Sequence, residues 1–234
     1  LMQKNLQKRI LSSIIIIPLS LFFIIKGSFF FIFFLSMVFF VTIYEWLKMS
    51  KSISIKTLGI IFLFFSFYLA YLLRTEQGYK IFLFVILISI LTDIGGYIFG
   101  KVFKGPKLTK ISPKKTYSGA IGGFVLSIIG SLIFIEYIGD LKILLEFLNF
   151  RTIDPEDIHS SSLDFDLFIL IFIMISSLIS QLGDLTISYF KRIAKIKDTG
   201  KILPGHGGLL DRVDGIIFTV PSVYLILKFD SFVF

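Results

Sequence analysis

Long apolar runs separated by short polar bridges dominate this chain from end to end. Seven such segments can be marked, at about 10–25, 28–46, 57–74, 80–100, 119–138, 166–189 and 214–229. Most approach the ~20 residues that a helix needs to cross the hydrocarbon core of a bilayer. The pattern predicts an all-α fold, a polytopic helical integral membrane protein of about seven transmembrane helices. The fourth and sixth segments carry polar residues at their ends. The fifth holds Gly119, Gly122, Gly123 and Gly130, residues small enough to let two membrane helices approach closely. The opening "LMQKNLQKRILSSIIIIPLSLFFIIKG" has the basic start and apolar run of a signal peptide, but no small-residue cleavage site follows it. The expectation is an uncleaved first span, and the opening Leu suggests a start that is trimmed or altered.

Charge gives the segments a direction. Eighteen of the 24 cations fall in the N-terminal stretch and in the bridges after the second, fourth and sixth segments; six fall on the alternate side. The positive-inside rule then puts the N-terminus and those bridges in the cytoplasm; the membrane expected is the cell (inner) membrane. The long bridge on the opposite side, about 139–165, carries Asp140, Glu146, Asp154, Glu156, Asp157 and Asp164. Within it "DLKILLEFLNF" reads as a short interfacial helix, and His159 as a surface residue.

Composition narrows the chemistry. The 234 residues are 55% hydrophobic and 17% aromatic, with a net charge of +8. No cysteine occurs, so there is neither a disulfide framework nor a thiolate site. With two histidines, a zinc site built from several His and Cys is nearly excluded. A bound metal would be held by oxygen, which favours magnesium-like ions. No basic helix or aromatic-basic module supports nucleic-acid binding, so none is expected.

The polar residues gather on the cytoplasmic face. In "SLISQLGDLTISYFKRIAKIKD", a continuing helix would place Asp184, Ser188, Lys191, Arg192 and Lys195 on one face. A carboxylate in a membrane helix needs a partner, so Asp184 could simply pair with a lysine. In "GHGGLLDRVDG", Asp211 and Asp214 lie three apart at a helix start, where they would cap segment seven or stand as bare carboxylates at its positive end. The glycines before them, Gly205, Gly207 and Gly208, allow backbone N–H groups to approach an anion. Segment four ends in "LTDIGGYIFGK", which puts Asp93 at the same membrane depth. The next bridge contains "SPKKT", Ser112 to Thr116, in which Pro113 is a stiff bend between a hydroxyl and Lys114 and Lys115. Carboxylates for a divalent ion, glycines for phosphate and several cations together suit phosphoryl transfer.

The run from Ser188 to Asp214, "SYFKRIAKIKDTGKILPGHGGLLDRVD", resembles the signature of the phosphatidate cytidylyltransferases, or CDP-diacylglycerol synthases. That signature is a serine, Lys-Arg, four residues, Lys-Asp, a short spacer, Pro-Gly-His-Gly-Gly, two residues, Asp-Arg, one residue and Asp; every fixed position is present. The likeness extends upstream to "LGD" at 182–184, "SPKKT" at 112–116 and "DIGGYIFGK" at 93–101, and so covers roughly 90 to 220. Ser118 stands where the family usually has an acidic or amide residue, and Gly96 where it usually has alanine. Seven spans are also fewer than the family's usual number. Residues 1–79 would then be N-terminal transmembrane helices. Residues 80–234 would be a catalytic transmembrane region with cytoplasmic loops 101–118 and 190–213.

The resemblance implies transfer of the cytidylyl group of CTP to phosphatidic acid, giving CDP-diacylglycerol and pyrophosphate for phospholipid synthesis. It implies Mg2+ held by Asp184 and Asp211, with a second cation left open. Lys191, Arg192, Lys197, His206 and Arg212 would contact phosphates, with Asp198 and Asp214 supporting them. Asp93, Ser112, Lys114, Lys115, Thr116, Ser188, Gly205, Gly207 and Gly208 would line the substrate site. It also implies a homodimer in the lipid bilayer. Two other classes stay open: a CTP-dependent membrane lipid kinase, and an ion or organic-anion transporter. Transporters often show inverted repeats and midplane interruptions, whereas the charges here cluster at one interface.

Overall fold

A computed structural model describes residues 2–138, 162–202, 205 and 207–233, and every named element among them is a helix. In chain order these are α1 (Met2–Lys26), α2 (Ser28–Met49), α3 (Ile53–Glu76), α4 (Gly78–Phe103), α5 (Tyr117–Ile138), α6 (Ser162–Ile193), α7 (Leu210–Val213) and α8 (Ile216–Val233). Five of them, α2 to α6, are long and apolar enough to cross a membrane. The first and last contribute shorter apolar stretches, Ser12–Lys26 and Ile216–Lys228. The acidic bridge with its expected interfacial helix and His159 falls largely outside the described residues, as does His206.

Two clusters of apolar side chains hold the bundle together. The larger joins α2, α3, α4, α6 and α8 through Phe31, Leu73, Phe84, Ile88, Ile173 and Val223. The second joins Trp46 and Met49 of α2 and Leu63 of α3 to Ile187, Leu210 and Ile217. It lies directly beneath the signature loop.

In lipid, apolar burial alone gives helices little reason to associate, so close backbone approach and hydrogen bonds carry more of the specificity. Among the described residues, the α4–α5 pair is the most extensive helix contact. A Cβ built on Gly95 would lie 2.9 Å from the Gly122 carbonyl carbon, and one on Gly119 would lie 2.7 Å from the Gly96 oxygen. Hydroxyls stitch the other helices. Thr92 donates to Ser177 at 2.8 Å, and Ser66 donates to the Ile217 carbonyl at 2.6 Å. At the far end, Arg74 donates to the carbonyls of Ile24 (2.8 Å) and Ile25 (3.2 Å), which satisfies the end of α1.

One expectation is corrected. The sixth helix does not continue to Lys195 but ends at Ile193. Lys195 has φ 58, its amide bonds to the Arg192 carbonyl, and the Ile196 amide bonds to the Lys191 carbonyl, each at 3.0 Å. This is a Schellman stop with lysine in the left-handed position usually given to glycine. Lys195 therefore leaves the face shared by Asp184, Ser188 and Lys191, and the chain turns back across the end of the bundle.

Candidate active site

At this end the tips of α4 and α6, the bridge before α5 and the loop from Ala194 to α7 come together. The bridge folds on itself before it reaches α5. Lys107 and Thr116 form an isolated antiparallel contact, and the Lys115 amide bonds to the Ser112 carbonyl at 3.0 Å. Thr116 then caps α5: its hydroxyl accepts the Gly119 N–H at 3.1 Å and lies 3.0 Å from the Ser118 hydroxyl. Ser118 also donates to the Lys104 carbonyl. Folded this way, the bridge aims Lys115 across to α6.

Two ion pairs follow. The Lys115 ammonium lies 2.6 Å from Asp184, whose other oxygen accepts the Ser188 hydroxyl at 3.2 Å. Two turns further along α6, the Lys191 ammonium lies 2.8 Å from Asp211 and 4.0 Å from Asp214. The second pair is the more deeply buried: side-chain exposure is 10% and 7% for Lys191 and Asp211, against 26% and 22% for Lys115 and Asp184. Asp211 is saturated on its other oxygen, which accepts the backbone N–H of Thr199 (2.8 Å) and of Gly208 (3.1 Å). Asp214 is buried and accepts the Gly215 N–H at 3.1 Å. Asp93, Asp184 and Asp214 lie near enough to feel one another's charge, and Asp93 feels Lys115 and Arg212 as well.

The structure thus brings together Asp93, Lys115, Asp184, Ser188, Lys191, Asp211 and Asp214. Arg192 turns aside, donating to the carbonyls of Ile111 (3.2 Å) and Ile196 (3.3 Å) and so tying the two loops together. Lys114, Lys197, Asp198 and Arg212 are exposed around the rim. Ser112 shapes the turn before Lys115, with its amide bonding to the Thr109 hydroxyl at 3.1 Å. Gly205 and Gly207 have φ values of 80 and 90, the left-handed region that favours glycine.

Three participants went unrecognised in the sequence. Glu45 on α2 is 1% exposed and accepts bonds from Thr199, Leu209 and Leu210; Gln181 donates to the Ala120 carbonyl at 3.4 Å. An available signal was the acid in "YEWLKM", inside an otherwise apolar segment. Thr199 had no local signal.

The model of the cytidylyltransferase family matches residues 52–230, more than half of the chain. The chain belongs to this family. A phosphatidate cytidylyltransferase of Rickettsia felis is 36% identical over 229 residues, covering 96% of this chain and 93% of the relative. Phosphatidate cytidylyltransferases of Staphylococcus saprophyticus and Staphylococcus epidermidis are 39% and 38% identical over 159 and 175 residues. The chain spans about half the length of these two relatives, 53% and 56%. Within this cytidylyltransferase-family chain, the matched stretch includes both ion pairs and the loop between them.

Can the site hold a divalent ion? The candidate ligands are carboxylate oxygens, the donors that Mg2+ prefers. Among the described residues, no three acids or histidines converge on one point. Asp93, Asp184, Asp211 and Asp214 nevertheless crowd around the Lys115 and Lys191 ammoniums. Two of these carboxylates would suffice for such an ion once it displaced their lysine partners, the remaining positions going to phosphate oxygens and water.

Proposed function

We propose that this chain transfers the cytidylyl group of CTP to phosphatidic acid, releasing pyrophosphate and forming CDP-diacylglycerol. The observation that carries the reading is the convergence of the Lys115–Asp184 and Lys191–Asp211 pairs at one end of an apolar bundle, on a family-matched stretch whose relatives are named phosphatidate cytidylyltransferases. A phosphatidate oxygen attacks the α-phosphorus of CTP, a new P–O bond forms, and the bond to the bridging oxygen breaks as pyrophosphate leaves. The nucleophile is already ionised at neutral pH, so no general base is needed. Catalysis then rests on holding two anions together and stabilising charge on the α-phosphate and the leaving group.

The residues have separate tasks in this reading. Lys115 and Lys191 offset phosphate charge from opposite sides. The amides of Thr199 and Gly208 keep Asp211 in place. Lys197, Arg212, Lys114, Asp198 and Arg192 form the rim that the triphosphate crosses. Asp184, with Asp211 or Asp214, would hold Mg2+, which supplies positive charge against the triphosphate. The acyl chains stay in the bilayer beside α4 and α5, which accounts for a nucleotide site on so apolar a chain. We assign seven spans, a cytoplasmic N-terminus in the inner membrane, and a homodimer, supported by the cation distribution and the glycine-rich helices.

Purified protein in lipid nanodiscs, given labelled CTP or dCTP and phosphatidic acid, should release pyrophosphate in step with CDP-diacylglycerol, and only with Mg2+ present. ATP should not replace CTP; equal turnover with ATP would instead indicate a kinase. Cross-linking in native membranes should yield a dimer, and monomer alone would count against that assignment.

A further inference from the structure

Glu45 is a charged side chain that none of the assigned tasks uses. It sits near the end of α2, is 1% exposed, and has no ion-pair partner among the described residues. A carboxylate so placed costs free energy unless every lone pair is used. Its partners all come from one distant stretch. Oε1 accepts the Leu209 N–H at 3.0 Å; Oε2 accepts the Leu210 N–H at 2.8 Å and the Thr199 hydroxyl at 3.1 Å, across 154 residues of sequence.

The neighbouring amides face the other way. Thr199 and Gly208 give their N–H groups to Asp211, which in turn holds Lys191. The loop is therefore clasped between two carboxylates, with Asp211 on the reacting side and Glu45 behind it. The amides of three consecutive residues, 208 to 210, are divided between them. Two glycines make room for this clasp. A Cβ on Gly208 would lie 2.7 Å from Glu45 Oε2 and 2.7 Å from the Gly200 amide nitrogen, and one on Gly200 would run into the Glu45 carboxyl. Gly208, which reads in the sequence as part of an anion-binding loop, here also leaves room for Thr199, Gly200 and Glu45 to close on one another. Glu45 is itself held by its neighbour. Trp46 donates to the Ile55 carbonyl at 3.2 Å, lies against Gly59 and meets the Phe190 ring at 5.0 Å.

We infer that Glu45 is a positioning residue, which sets the register of Thr199 and of residues 208–210 and so presents Asp211 and Lys191 to the nucleotide. The inference rests on the functional reading above for the ligand, though not for the clasp. It makes the N-terminal helices part of the site's support rather than only a membrane anchor.

The test uses the whole protein in nanodiscs and two variants. Glu45→Gln keeps the size but leaves one oxygen to face three donors. Thr199→Val removes the hydroxyl from the loop side and leaves α2 untouched. Backbone hydrogen exchange in peptides covering 199–213 should quicken by about tenfold or more in Glu45→Gln and less in Thr199→Val, with α3 and α4 unchanged. The KM for CTP should rise by about tenfold, with the KM for phosphatidic acid close to parental. Unchanged exchange at 199–213 in Thr199→Val would overturn the inference, even if Glu45→Gln failed to fold. So would faster exchange spread through α2 and α3 with a parental KM for CTP, since that marks a packing role. A parent protein without cytidylyl transfer would sink the functional reading, while the exchange contrast would still decide the clasp.

Discussion

At the scale of single residues, the two ion pairs differ in how far they are removed from solvent, and this separates their consequences. Lys115–Asp184 is about a quarter exposed, so solvent screens it more than the second pair. Lys191 is enclosed between Asp211 and Asp214, and breaking a buried pair costs about 3–5 kcal/mol because charge is left uncompensated. Lys115→Met should therefore lose turnover with a smaller drop in melting temperature than Lys191→Met. Thermal unfolding of the two variants in one detergent checks this; equal losses would mean that burial does not rank them. Asp184→Asn and Asp211→Asn preserve shape. Asn at 211 can still accept the Thr199 and Gly208 amides, and Lys191 retains Asp214. Both variants should fold and lose at least ~10²-fold in turnover, the scale of one electrostatic contributor to a transition state. Glu76→Gln, which loosens the Lys228 pair at the other end of the bundle, should leave turnover near parental. Near-parental rates in both aspartate variants would make these acids structural partners of the lysines.

Among the elements, the α4–α5 contact connects packing to the site, because Asp93 rides on α4 and Lys115 immediately precedes α5. Adjacent glycines on α4 play different parts in that contact. A Cβ at Gly95 would meet the Gly122 carbonyl carbon and Leu126 Cβ, each at 2.9 Å, so the helices would have to separate. At Gly96 the nearest atom is the Gly119 oxygen at 3.8 Å, an ordinary contact. Gly95→Ala should cost about 1–3 kcal/mol, as overpacking does. Gly96→Ala should be neutral or gain up to ~1 kcal/mol from helix propensity. Comparing the two melting temperatures tests the register of the pair; the reverse order would put the wrong face of α4 against α5. This also accounts for Gly96, which stands where the family usually has alanine: the site has room for either.

At the scale of the whole molecule, the distribution of charge gives the chain two unlike sides. The bridges after the second, fourth and sixth apolar segments hold most of the cations, and the last two of these carry the candidate site. The chain has no cysteine, so single substitutions report cleanly. In native membranes, Lys110→Cys should be shielded from an impermeant thiol reagent until the membrane is opened, while Ser160→Cys should react from outside. The opposite pattern at either position would invert the topology.

Much of this was legible in the chain itself, because it depends on local properties. An apolar run long enough to cross lipid must satisfy its own backbone hydrogen bonds, and helix is the local way to do so; hence the predicted segments 28–46, 57–74, 80–100 and 119–138 fall within α2 to α5. The spacing from Ser188 to Asp214 likewise marked the loop where carboxylates and cations meet. Pairing was not legible, because the partner of a charge depends on which distant segments the bundle brings together. The tertiary structure set Lys115 on Asp184 and placed Asp211, rather than solvent, opposite Lys191. It also stopped α6 two residues before Lys195, because the chain had to turn back to reach Glu45. The carboxyl of Glu45 looks like any acid near the end of a membrane helix until the loop that needs it is folded against it.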